Sequence, residues 1–167
     1  MIIRIVALGL VLGAGAAAAD GPASRTDARA AFDQLKSLAG RWEGGDSRQE
    51  RLTYELIAGG TALVEREVAA GRPEMLTVYH LDGDRLVLTH YCMAGNQPRM
   101  QLTAFDRGAG TLKFDFVDAA NLTNAGSGHM HSARLRIVDV DHLATEWQFY
   151  ENGSARMTES TEFTRVR

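Results

Sequence analysis

Five histidines, at positions 80, 90, 129, 131 and 142, and a single cysteine at 92 carry most of the metal-ligating and acid–base capacity of this 167-residue chain. In LVLTHYCMAG, His90 and Cys92 stand two positions apart in a segment that alternates like a strand, and in SGHMHSARLRIV the same spacing recurs between His129 and His131. Positions i and i+2 of a strand share a face, so each pair is close enough to share a metal or to fix the polar end of a small molecule. Joined across a closed sheet, His90, Cys92, His129 and His131 would make a thiolate and imidazole set suited to zinc or copper. The spacing matches no metal signature, however, and histidines on apolar faces are commonly hydrogen-bonded core residues. The expectation is therefore a small-molecule pocket without a metal, in which these residues serve as polar fixtures and Cys92 is a small buried hydrophobe.

Period-two alternation puts His90 and Cys92 on the face of Leu86 and Leu88. A two-residue turn at Asp82-Gly83 sets Met75 opposite His90, Thr77 opposite Leu88 and Tyr79 opposite Leu86, so Tyr79 joins the same wall, while a three-residue loop would bring His80 beside Leu86. His129 and His131 share a face with Ala133, Leu135 and Ile137, which places both inward near one mouth. In HLATEWQFY, apolar character favours Leu143, Thr145, Trp147 and Phe149 as the inward set over Glu146 and Gln148. Asn96, Gln97 and Arg99 around Pro98 read as an ordinary connection or as a mouth loop that grips a polar head. Glu65 and Glu67 lie on a charge-rich strand and are expected to face solvent. No Ser–His–Asp spacing, phosphate loop or G-x-S-x-G elbow occurs, so no catalytic residue is assigned and enzymatic activity stays open.

The elements that must hold these residues are mostly strands. Thr26 is a candidate N-cap for a short helix over 27–38, with Phe32, Leu35 and Leu38 at helical spacing and Gly40 stopping it. From there the period is two, with strands expected at 41–46, 50–57, 62–69, 74–81, 85–93, 99–106, 111–117, 128–138, 142–150 and 155–165. Asp-Gly and Asn-Gly turns separate them and no crossover helix intervenes, which specifies an antiparallel meander. An all-β, ten-stranded up-and-down barrel closes such a meander without edge strands, and a two-sheet sandwich is the competing arrangement.

The first 19 residues carry Arg4, an apolar run and small residues ending in Ala17-Ala18-Ala19, the pattern of a secretory signal peptide. The apolar run is too short to span a bilayer. Cleavage leaves residues 20–167 as one barrel domain, secreted or periplasmic, with no stable membrane insertion. Its basic residues are scattered rather than clustered, and the whole chain carries a charge of −3, which argues against nucleic-acid binding. One cysteine cannot form an intramolecular disulfide.

At the entry to the first strand, LAGRWEGG supplies Gly40-x-Trp42-x-Gly44. This resembles the G-x-W start of calycin barrels, and more closely the G-x-W-x-G start of nitrobindin-like and fatty-acid-binding-protein-like ten-stranded barrels. Over about residues 30–167 the chain also resembles the exported, lipocalin-like domains of the DUF1579 type. The resemblance implies a structural role for Gly40, Trp42 and Gly44, and an Arg from the last strand packed over the Trp, with Arg165 the first candidate and Arg167 the second. Nitrobindins bind haem through a histidine near the C-terminal end of the barrel. Here the last histidine is His142 and the final strand has none, so no haem ligand carries over by position. Together these readings imply an exported barrel that holds a hydrophobic or amphipathic molecule in a cavity of roughly 300–1,000 Å³. A haem- or zinc-binding barrel with inward histidines, or a non-catalytic structural envelope protein, is the alternative. Intact-mass measurement of protein recovered from the host is expected to show a chain beginning at Asp20, and a mature chain that retains residues 1–19 contradicts the signal assignment.

Overall fold

Ten strands joined by short turns leave one topological question, whether the first meets the last. The computed structural model, which describes residues 25–45 and 49–167, answers that it does. The residues assigned to the export signal lie outside the described ones. Helix α1 (Arg25–Lys36) precedes β1 (Gly40–Gly44), β2 (Glu50–Ile57), β3 (Ala62–Ala69), β4 (Met75–Asp82) and β5 (Arg85–Tyr91). Then come β6 (Gln97–Asp106), β7 (Thr111–Ala120), β8 (His129–Ile137), β9 (His142–Glu151) and β10 (Ser154–Val166). Each strand pairs antiparallel with its sequence neighbours, and β1 pairs with β10 to close the barrel. Closure satisfies the backbone groups that an open sheet would leave at its edges.

Helix α1 starts two residues before the expected boundary, so Thr26 lies inside it rather than at its N-cap. It also ends earlier, at Lys36, because the next three amides tighten into i→i+3 bonds: Ser37 to Gln34, Leu38 to Leu35 and Ala39 to Lys36. Its apolar side, Ala28, Ala31, Phe32 and Leu35, is buried against β4, β5 and β6 and stoppers that end of the barrel.

Trp42 seals the same end. Its ring is fully buried and its indole Nε1 donates to Leu38 O at 2.8 Å. The Arg165 guanidinium stacks over the ring at 4.1 Å and donates to three carbonyls, Ala39 and Ser37 at 2.8 Å and Val140 at 2.7 Å. One side chain thus ties the helix end, β1, β10 and the β8–β9 turn together, adding cation–π attraction to charge-assisted hydrogen bonds. The glycines of the motif make room for this seam. A Cβ on Gly40 would stand 2.9 Å from Arg165 Nη1, and one on Gly44 would overlap the Glu162 carbonyl oxygen and the Phe163 ring.

The β4–β5 hairpin is shifted from its expected register. Gly83 and Asp84, rather than Asp82 and Gly83, form the turn, so Asp82 pairs with Arg85 and Thr77, not Met75, stands opposite His90. Moving the turn by one residue slides the pairing by two and leaves every side chain on its expected face. Tyr79 faces Leu88, while His80 pairs with Val87 on the other face.

Replacing Gly44 by Ala forces β1 away from β10 at the closing seam. The expected cost is about 1–3 kcal/mol, the range for overpacking a filled site, which lowers Tm by several degrees in a domain of this size. An unchanged melting curve contradicts the close approach.

Candidate functional site

Along four strands the inward side chains change from apolar near the helix to polar at the opposite, open end. Inward from the helix, β3 presents Leu63, Glu65 and Glu67, and β5 presents Leu86, Leu88 and His90. Strand β4 adds Tyr79 and Thr77, and β10 adds Phe163, Thr161 and Glu159. The expected solvent exposure of Glu65 and Glu67 is corrected here. Glu65 is 3% exposed and Glu67 lines an interior cavity, because Leu63 sets the parity of β3 and the next two alternate residues follow it inside.

Burying a carboxyl demands partners. Tyr79 Oη donates to Glu65 Oε2 at 2.8 Å, and the Tyr54 and Thr77 hydroxyls also lie close enough to favour the carboxylate, although Tyr54 Oη lacks a well-formed hydrogen bond. Burial still prevails and pushes the Glu65 pKa up. Thr77 Oγ1 is 3.0 Å from His90 Nδ1. Which of the two donates follows from the imidazole tautomer: with the ring proton on Nδ1, His90 donates to Thr77 Oγ1 and Nε2 keeps its lone pair. His90 is 2% exposed, its Nε2 has no partner, and its ring packs 5.0 Å from that of Trp147. Burial holds its pKa down to about 4.

His90 faces a cavity of about 20 Å³, lined also by Glu65, Glu67, Met75, Met130, Trp147 and Glu159. That is room for about one water. Among the described residues, this space is far smaller than the expected several hundred cubic ångströms, since Leu86, Leu88, Met100, Phe114, Leu135 and Tyr79 fill the helix half of the barrel. Arg72, in the β3–β4 connection, closes the outer side with ion pairs to Glu159 at 2.8 Å, Glu67 at 3.4 Å and Glu50 at 3.5 Å. Beyond it lies an open groove of about 450 Å³, which shares Glu50, Glu159 and Thr161 with the inner cavity. Burial, then the charge of Glu65, raises the Glu67 pKa to about 7.

The other sequence candidates form a separate cluster. A β-bulge between Met130 and Ser132 breaks the alternation of β8, so Met130 rather than His129 or His131 lines the cavity. His129 Nδ1 is 2.8 Å from Ser127 O and its Nε2 is 3.0 Å from His131 Nδ1. The carbonyl can only accept, so the protons run from His131 Nδ1 to His129 Nε2 and from His129 Nδ1 to Ser127 O. His131 stacks between Phe116 at 5.0 Å and Tyr150 at 4.1 Å. Burial, then His129, lowers its pKa.

Cys92 sits just past the end of β5, in a turn closed by Cys92 N–H to Asn96 O and Gly95 N–H to Cys92 O. Burial pushes its thiol pKa up, which disfavours the thiolate that a nucleophile or metal ligand needs. Asn96 Nδ2 donates to Gly128 O at 2.7 Å, Gln97 accepts from Asn121, and Arg99 pairs with Asp118, so this segment is a fastened turn, although Asn96 Oδ1 is buried without a partner. Among the described residues, no three His, Cys, Asp or Glu side chains converge closely enough to hold a metal ion.

The two shifted groups give opposite pH slopes. His90 is neutral in the fold down to about 4 but titrates near 6.5 when unfolded, so its contribution is complete above 6.5 and is lost as pH falls towards 4. Glu67, at about 7 in the fold against 4.5 unfolded, contributes below 4.5 and loses that contribution as pH rises through 7. In urea unfolding between pH 5 and 6.5, Glu67→Gln is expected to steepen the rise of stability with pH relative to the parent, and His90→Gln to turn it towards a fall. Parallel profiles in the two variants contradict these assignments.

The sequence matches no family model and no curated protein. Among solved structures, the chain is similar to the crystal structure of Rv2717c from M. tuberculosis, at 16% identity and a TM-score of 0.54, covering 82% of this chain and 98% of that one. At that identity the likeness establishes a shared barrel architecture.

Proposed function

We propose that this chain is an exported, calycin-like barrel of the DUF1579 type that binds a small amphipathic molecule at its open end. The polar head lies beside His90 and the rest in the outer groove. The observation that carries this reading is His90 Nε2, a ring nitrogen removed from water and left without a partner, and an acceptor in the Nδ1–H tautomer, facing a cavity at the open end of the barrel. An unmet buried acceptor costs free energy, and a ligand donor would recover it. Met75 and Met130, unbranched and adaptable, flank the cavity and can repack around a head group. The Gly40-x-Trp42-x-Gly44 opening, with Arg165 stacked on Trp42, supports the calycin relationship. The filled helix half argues against a ligand swallowed whole, as does the absence of a large enclosed space at His90.

Native mass spectrometry of protein purified from its host tests this reading. The expected result is a one-to-one small-molecule adduct, retained about tenfold less well by a folded His90→Phe variant, the order of effect for one hydrogen bond. Wild-type protein observed only at its own mass, and taking up no amphiphile on addition, contradicts it.

A further inference from the structure

Every titratable group lining the inner cavity can meet a ligand as a hydrogen-bond acceptor. His90, in its Nδ1–H tautomer, offers the Nε2 lone pair, and Glu50, Glu65, Glu67 and Glu159 offer carboxyl oxygens from β2, β3 and β10. The cation that answers them is not rooted in the wall. Arg72 reaches in from the β3–β4 connection, lines the outer groove and not the inner cavity, and spans Glu50, Glu67 and Glu159 across the passage between the two spaces. Its guanidinium satisfies three carboxylates from outside while His90 Nε2 goes unmet inside.

We propose that the ligand is a small organic cation with a primary ammonium head on a short apolar tail, and that Arg72 holds its place in the free protein. This rests on the open end being the ligand site and names the class of ligand. The head enters beside His90 and donates to Nε2 and to neighbouring carboxyl oxygens. Arg72 then releases those carboxylates and turns outward, and the tail lies in the outer groove. An ammonium carries three donors and no acceptor, the complement of this wall, and is compact enough for a space of about 20 Å³, whereas a planar guanidinium is not. It also suits donor atoms that surround a space without converging on a point, as a bare metal ion would require. A carboxylate or phosphate head would bring a further acidic group among four acidic side chains.

Trp147 packs against His90, so its fluorescence reports the site. The mature protein is titrated with hexylammonium, hexanol and hexanoate at fixed ionic strength. The expected order has hexylammonium at least about tenfold tighter than hexanol and hexanoate weakest. In a folded Arg72→Gln variant, which lacks the competing cation, hexylammonium is expected to bind severalfold tighter still. Hexanol or hexanoate binding as well as hexylammonium overturns the cation assignment while leaving the open end as a ligand site. No response to any of the three overturns both. Weaker hexylammonium binding in Arg72→Gln overturns the placeholder role of Arg72.

Discussion

A carboxyl group buried in a barrel must be surrounded by donors, and that requirement at Glu65 organises the open half of this protein. Tyr79 answers it directly and Thr77 lies close enough to add its hydroxyl proton. Thr77 Oγ1 also lies 3.0 Å from His90 Nδ1 and accepts from it in the Nδ1–H tautomer. That contact sets the orientation of the imidazole, whose second nitrogen is buried and unmet. One buried carboxyl group and one buried imidazole thus share the polar floor of the barrel, with Thr77 between them.

The rest of the fold supplies the conditions under which that chain matters. Helix α1, Trp42 and Arg165 seal one end, and large apolar side chains fill the barrel beneath the network. At the other end Arg72 bridges three carboxylates and separates the inner cavity from the groove outside. The barrel therefore acts less as a container than as a rigid cup with a shallow polar floor, and its selectivity depends on the wall and on the arginine across it.

The architecture was legible because period-two alternation and turn residues are local. The strand series, the helix before it and the inward set of Trp147 could all be read from neighbours in sequence. The site was less legible for three separate reasons. Glu65 and Glu67 share a strand whose two faces, Leu63 with Ala69 and Val64 with Val68, have nearly equal apolar character, so parity was undecided and charge suggested solvent. A bulge at His131 shifted β8, and alternation has no means of showing an inserted residue. His90 shares a buried face with Leu86 and Leu88, but the orientation of its ring depends on Thr77, which the Gly83-Asp84 turn sets opposite it.

The tautomer and charge of His90 in the ligand-free protein are the most direct test of this account, and long-range ¹H–¹⁵N NMR of the imidazole reads both. The expected result is a neutral ring at pH 6, protonated on Nδ1 with Nε2 bare, that takes up its second proton only near pH 4. A ring protonated on Nε2, or an imidazolium already present at pH 6, would contradict it.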